Sequence, residues 1–238
     1  MQIIPAIDLK DGNCVRLLKG DFAQATVYSD DPMEMARKFI EAGAKRIHII
    51  DLDGAKTGEQ TNLSSIRMIA DLLDVKVQCG GGIRTIDRVK ELLSNAIDRI
   101  ILGTILFDEM LLQEILPFLT QQPERLIAAL DAKEGKVVTH GWVESTGETI
   151  VEKARKLATL GFQRILVTDV AVDGTLEGPN IALYEQLVKE QPMKVIASGG
   201  VSSQKDLDAL EKTGVEAVVV GKAIYSGALD LAQLKFNP

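Results

Sequence analysis

The chain contains two copies of one pattern. Ile4-Pro5-Ala6-Ile7-Asp8-Leu9-Lys10-Asp11-Gly12 returns as Ile127-Ala128-Ala129-Leu130-Asp131-Ala132-Lys133-Glu134-Gly135, with Asp131 lying 123 residues after Asp8. Gly43 to Asp51 (GAKRIHIID) returns as Gly161 to Asp169 (GFQRILVTD), 118 residues on. At that same shift Gly80-Gly81-Gly82-Ile83 matches Ser198-Gly199-Gly200-Val201, and Ile101-Leu102-Gly103-Thr104 matches Val219-Val220-Gly221-Lys222. Four pairs in one order at a nearly constant offset divide the chain into halves of about 1–120 and 121–238. That period is far too long for a stacked solenoid.

Short runs rich in Ile and Val alternate with amphipathic stretches in both halves. The runs are Ile3–Asp8, Arg46–Asp51, Val75–Cys79, Arg99–Gly103, Leu126–Asp131, Arg164–Asp169, Lys194–Ser198 and Ala217–Gly221. Near-continuous hydrophobicity suits parallel strands covered on both faces. Helical patterns lie between them, punctuated by polar starts and glycine stops. Pro32 opens Met33–Ala42, Asn62 precedes Leu63–Leu73, and Thr85 and Asp108 lead into the next two helices. Glu148–Leu160, Ile181–Glu190 after Asn180, Lys205–Lys212 after Ser203, and a last short helix opened by Ser226 follow. Eight strand–helix units in about 250 residues predict one α/β domain, a (β/α)₈ TIM barrel with a twofold internal half-barrel repeat. An open doubly wound sheet is the alternative. It accounts poorly for a four-plus-four repeat.

The longest connections, Leu9–Asp31 and Ala132–Gly147, follow the two repeated aspartates and contain strand-like pieces at Asn13–Leu18 and Lys136–Trp142. Loops of this kind at the C-terminal rim serve as lids or substrate walls.

An acid ending an apolar run must reach water or a ligand. Asp8 and Asp131 end the first and fifth runs, which stand opposite each other in an eight-stranded ring. Paired carboxylates facing one ligand are therefore expected, against the plainer reading of loop caps paired with Lys10 and Lys133. Gly80-Gly81-Gly82 and Ser198-Gly199-Gly200 end the third and seventh runs. Gly103-Thr104 and Gly221-Lys222 end the fourth and eighth. Glycine lets backbone N–H groups approach an anion closely. In this fold the loops after strands seven and eight are the usual phosphate seat. The repeat places a second seat opposite, so a ligand phosphorylated at both ends is expected. Tight turns alone are the bland alternative.

Other rim positions read less sharply. Arg84 holds a phosphate or hydroxyl, or is simply solvated. Thr168 and Asp169 end the sixth run, where Thr168 touches ligand or is structural, and Asp51 holds its loop. Asp173-Gly174-Thr175 parallels Asp53-Gly54-Ala55 after a two-residue slip. Trp142 packs in the core or stacks on a flat heterocycle. His48, within an Ile-rich run, reads as a satisfied structural histidine, and His140 as a lining residue of the mouth.

Composition excludes several classes. With 27 basic and 34 acidic residues the net charge is −7 and no basic stripe appears, which argues against a nucleic-acid surface. No apolar stretch approaches the roughly 20 residues needed to cross a bilayer. Met1-Gln2-Ile3-Ile4-Pro5 has no basic segment or cleavage pattern, so a cytoplasmic location is expected. Cys14 and Cys79 read as buried small residues, and with His48 and His140 they offer no metal-ligand spacing.

The opening motif, together with Cys14-Val15-Arg16-Leu17, Asp51-Leu52-Asp53-Gly54-Ala55, Gly80-Gly81-Gly82-Ile83-Arg84, Leu130-Asp131, Gly141-Trp142, Asp173-Gly174-Thr175 and Ser198-Gly199-Gly200-Val201, resembles the histidine-biosynthesis isomerases that act on ProFAR. ProFAR is an aminoimidazole carboxamide ribotide joined through a formimino bridge to a second phosphoribosyl group. The resemblance spans essentially the whole chain. It implies an Amadori rearrangement, an aminoaldose-to-aminoketose isomerisation by an intramolecular oxidoreductase, with no cofactor and no metal. An acid opens the ribose by protonating its ring oxygen, a base removes the C2′ proton, and the enolamine tautomerises to the ketose.

Carried over by motif position, Asp8 is the base and Asp131 the acid, whose pKa must be raised for the task. Thr168 and Arg84 position substrate, and Trp142 stacks on the imidazole. Gly81, Gly82, Gly103, Thr104, Gly174, Ser198, Gly199, Gly200, Gly221 and Lys222 line the phosphate seats. The partner is a small bisphosphate, with no membrane, nucleic acid or obligatory protein partner, and a monomer is expected. The sister cyclases of the same pathway share the repeat and both aspartates but carry a catalytic lysine eight residues after the first. Here Arg16 stands at that position, which favours the isomerase. Dual use on phosphoribosylanthranilate and a non-catalytic phosphometabolite-binding barrel are the remaining alternatives.

Overall fold

The structure, a computed structural model, describes residues 1–18, 20–72, 74–139 and 144–236. Strand β1 (Gln2–Lys10) turns back into β2 (Asn13–Leu18) and β3 (Asp21–Ser29), and α1 (Pro32–Glu41) follows. Next come β4 (Arg46–Asp51), α2 (Leu52–Thr57), α3 (Leu63–Leu72), β5 (Lys76–Gly80), α4 (Ile86–Leu93), β6 (Arg99–Leu102) and α5 (Glu109–Gln121). The second half repeats the plan with β7 (Leu126–Lys133), β8 (Lys136–Thr139), β9 (Glu144–Thr149), α6 (Ile150–Thr159), β10 (Arg164–Asp169), α7 (Ile181–Glu190), β11 (Lys194–Ser198), α8 (Gln204–Thr213), β12 (Ala217–Val220) and α9 (Lys222–Tyr225).

Strands β1, β4, β5, β6, β7, β10, β11 and β12 pair in parallel in that order, and β12 closes on β1 through Ile3 opposite Val218. This is the expected (β/α)₈ barrel. Its strands are hydrophobic on both faces because each face is covered. Ile4, Ala6, Ile101, Ile127, Leu166, Ile196, Ala217 and Val219 plug the interior. The alternate residues, such as Ile7, Ile49, Val77, Ile100, Leu130 and Val167, pack outward against the helices.

That alternation decides what each strand end offers. Asp8 follows Ala6 by two residues and Asp131 follows Ala129 by two, so both carboxylates fall on the inward face. Thr168 after Leu166, Ser198 after Ile196, Gly103 after Ile101 and Gly221 after Val219 share that parity. Asp51 and Asp169 have the opposite parity and are buried outside the barrel wall.

Helix starts follow local chemistry. Asp31 accepts from the Met33 and Glu34 amides ahead of Pro32 at N1, and Asp108, Thr85 and Asn180 cap their helices similarly. Two expectations are corrected. Helix α6 begins not at Glu148 but after Thr149, whose side chain forms a capping box with Glu152. Ser226 opens no helix: it is the C-cap of α9, and the following turn, Leu231–Gln233, is capped by Asp230.

The repeat extends to the far end of the barrel. Arg46 pairs with Asp98, and its counterpart Arg164 pairs with Glu216 at 2.8 Å and also with Glu124. Cys14 and Cys79 are free and buried, as expected. Burial pushes both thiols up to about 12.

Candidate active site

The two aspartates are set up by matching hairpins. Asp11 and Gly12 (φ 50 and 79) turn β1 into β2, and Glu134 and Gly135 (φ 52 and 75) turn β7 into β8. Two consecutive left-handed residues suit the right-handed twist of a two-residue hairpin. Asp8 thereby sits opposite Val15 and Asp131 opposite Val138. The next residue is Arg16 in the first hairpin and Thr139 in the second, so the repeat breaks where charge matters.

A cavity of about 340 Å³ opens at the C-terminal rim. This lies in the range of small-ligand sites. Asp8, Asp131, Thr168 and Ser198 line it together with Gly81, Gly82, Arg84, Gly103 and Thr104. A smaller pocket of about 30 Å³ adjoins it, lined by Gly174, Gly199, Gly200, Gly221 and Lys222. Arg16, Asp173 and Ser198 border both. Every site residue anticipated from the sequence thus falls on one of two adjoining cavities, except Trp142. That residue, like His140, lies outside the described residues.

Both glycine ends are built the same way. Gly103 (φ −109, ψ −97) and Gly221 (φ −111, ψ −94) adopt nearly identical backbone conformations ahead of short helical turns. At Gly81 (φ +94) a Cβ would lie 2.1 Å from the Asp51 carbonyl oxygen, and at Gly200 (φ +82) one would lie 2.3 Å from that of Gly178. Only glycine permits backbone to pass backbone so closely.

Asp51, as anticipated, and Asp169 hold these crossings in place. Asp51 accepts from the Gly54 amide at 2.9 Å, the Asn62 amide at 3.0 Å and Asn62 Nδ2 at 2.8 Å. Asp169 accepts from the Ala171 amide at 3.0 Å and Asn180 Nδ2 at 2.7 Å. In the second half Tyr184, fully buried, donates its hydroxyl to the Ser198 carbonyl at 2.7 Å and accepts from the Ser198 amide at 3.2 Å. The parallel drawn between Asp53 and Asp173 does not extend to their roles. Asp53 accepts from the Asp11 amide and Asn62 Nδ2, whereas Asp173 faces the cavity.

Sequence reasoning missed three lining residues: Arg16, Asp173 and His48. Arg16 Nη1 donates to Asp8 Oδ2 at 2.7 Å, with both side chains mostly buried. Burial raises the Asp8 carboxyl above its usual range, and Arg16 pulls it partly back. Asp173 is raised by burial in the same way, against Arg16. Register gave no signal for Arg16, because the two-residue turn after Lys10 puts Val15, not Arg16, opposite Asp8.

His48 is paired, as expected of a structural histidine. Its Nδ1 lies 3.0 Å from Gln78 Nε2, which can only donate, so the ring proton is carried on Nε2. Burial, then Arg16, lowers its pKa to about 3. The unfolded chain binds this proton near pH 6.5 and the folded chain only near 3. The neutral ring therefore contributes stability that is full above pH 6.5 and is lost as pH falls toward 3. His48→Asn, which keeps an acceptor near the Nδ1 position, is expected to lose less stability than wild type between about pH 7 and about pH 4.5 in urea titrations. Equal losses would assign the acid sensitivity elsewhere.

The family model described as histidine biosynthesis protein matches residues 2–230. The chain belongs to that family. Its relatives include a 1-(5-phosphoribosyl)-5-((5-phosphoribosylamino)methylideneamino) imidazole-4-carboxamide isomerase of Dehalococcoides mccartyi, 47% identical, with 97% of each chain covered. Proteins of the same name from Gloeothece citriformis and Synechococcus sp. strain CC9902 are 46% and 44% identical, covering 98% of this chain and 91% and 92% of theirs. The resemblance read from the motifs is thus met along nearly the whole length. No described helix is long and apolar enough to cross a membrane.

Proposed function

We propose that the chain isomerises ProFAR, the bis-phosphoribosyl imidazole carboxamide for which its relatives are named, by acid–base catalysis between Asp8 and Asp131. The observation that carries this reading is the placement of both carboxylates on inward strand faces, four strands apart around an eight-stranded ring, in one cavity. Glycine-rich strand ends flank that cavity from both halves, which supports a ligand held by a phosphate at each end. Residues 1–238 then act as one unit, each half supplying one carboxylate and one phosphate seat.

The division of labour is the one the family resemblance implies. Asp8 is the base: its burial strengthens its hold on a proton, and Arg16 keeps it ionised until needed. Asp131, carried over by motif position, is the acid that protonates the ribose ring oxygen. Thr168, opposite both Asp131 and Ser198 across β10, positions the reacting ribose. Arg84, whose Nη2 donates to the Ala55 carbonyl at 2.6 Å, and Trp142 bind the remainder of the substrate. All of these residues come from one chain, which supports an enzyme that works without an obligatory partner, in the cytoplasm.

The test is turnover by the purified protein of three substrates: ProFAR, its ketose product with ammonia, and phosphoribosylanthranilate. Turnover of ProFAR alone is expected. Cyclisation of the ketose would reassign the chain to the sister activity, and turnover of phosphoribosylanthranilate would make it a dual isomerase.

A further inference from the structure

Arg16 links the base to a phosphate seat. One arm of its guanidinium, Nη1, is on Asp8 Oδ2 at 2.7 Å. The other lies against Gly221, where an added Cβ would be 2.1 Å from Nη2. Its Nε is buried with no partner among the described residues. The same side chain borders the cavity containing Asp8 and the small pocket of Gly199, Gly200 and Gly221. The other cation there, Lys222, donates to the Gly174 carbonyl at 2.6 Å.

A phosphate seated in that pocket would meet Arg16 with more charge than one carboxylate offers and with geometry suited to a forked bond. We propose that Arg16 is a substrate-operated positioning residue: it pairs with Asp8 in the free enzyme, and a substrate phosphate over Gly199, Gly200 and Gly221 draws its guanidinium off Asp8. The base is then released only when substrate is seated. This rests on the bisphosphate reading above. Asp8 and Asp173 share Arg16 as their cation, so both lose a counter-charge in the exchange. Among the described residues, the other charged or titratable groups around Asp8 are His48 from β4, Cys14 from β2, Tyr225 from α9, whose hydroxyl donates to the Ala6 carbonyl at 3.1 Å, and Asp131 across the cavity. None of these lines the small pocket that Arg16 and Lys222 border.

The test follows the Asp8 carboxyl by ¹³C NMR in the intact protein, its signal assigned by its absence in Asp8→Asn, with and without saturating inorganic phosphate. In wild type, phosphate is expected to move the Asp8 titration upward, because its cation is withdrawn. In Arg16→Gln the titration should start high and respond little to phosphate, and Arg16→Lys should fall between. With ProFAR, Arg16→Gln should raise KM about ten- to a hundredfold, the scale of one charged hydrogen bond. A wild-type Asp8 signal unmoved by phosphate, or one moved equally in Arg16→Gln, overturns the exchange. Failure of wild type to turn over ProFAR would instead defeat the proposed function, so the two failures are distinguishable.

Discussion

Asp8→Asn and Asp131→Asn should each lower kcat for ProFAR about 10²- to 10⁴-fold, the usual contribution of a positioned acid or base, while the protein folds and still binds substrate. Asparagine keeps the shape of the carboxylate and removes its ability to carry the proton. In Asp8→Asn the 2.7 Å ion pair with Arg16 becomes an ordinary hydrogen bond, so binding should persist while proton abstraction fails. Asp131→Asn keeps the β7–β8 hairpin, which is set by Glu134-Gly135 rather than by the carboxylate. Circular dichroism would confirm the fold, calorimetric titration the binding, and single-turnover assays the loss. Near-wild-type turnover in either variant would remove that residue from the chemistry.

Gly81→Ala and Gly200→Ala should each destabilise the protein by about 4 kcal/mol or more, a loss reserved for backbone collisions and comparable faults. Both positions lie at positive φ, where a side chain is strained. At both, the new methyl would meet a carbonyl oxygen at little over 2 Å, in strand-end crossings tied down by Asp51 and by Gly178. Backbone cannot swing aside as a side chain can. Urea denaturation measures the change. A stability within about 1 kcal/mol of wild type would show that the crossings relax, and that the glycines serve the ligand rather than the fold.

The barrel was legible because parallel strands covered on both faces must be apolar throughout, and the eight runs are. The helix positions were legible from their openings, Pro32, Thr85, Asp108 and Asn180. Illegible pieces are those whose stability comes from pairing or from a single tether. Strand β3, exposed along most of its length, exists because it pairs with β2, and no burial pattern marks it. Helix α2 is six residues with a glycine inside, held by the Asp51 cap and by Gly58 at its end. Ser226 misled because a serine between apolar stretches looks the same whether it starts a helix or ends one.

By itself the sequence determined the closed ring, its doubling, and the strand-end residues such as Asp8, Asp131, Thr168 and Ser198 that reach the inner rim. The pleat alternates with period two, so an aspartate two residues beyond Ala6 or Ala129 can only point where those alanines point. Tertiary structure decided what could not be read along the chain. Arg16 is eight residues from Asp8 in sequence but bonded to it across a hairpin, and it reaches Gly221 from the other half of the barrel. The aspartates of β4 and β10 became anchors because their parity turns them outward. Asp8 and Asp131 look alike in the repeat, yet it is packing that sets Arg16 against Asp8, and a carboxyl answers to burial and nearby charge.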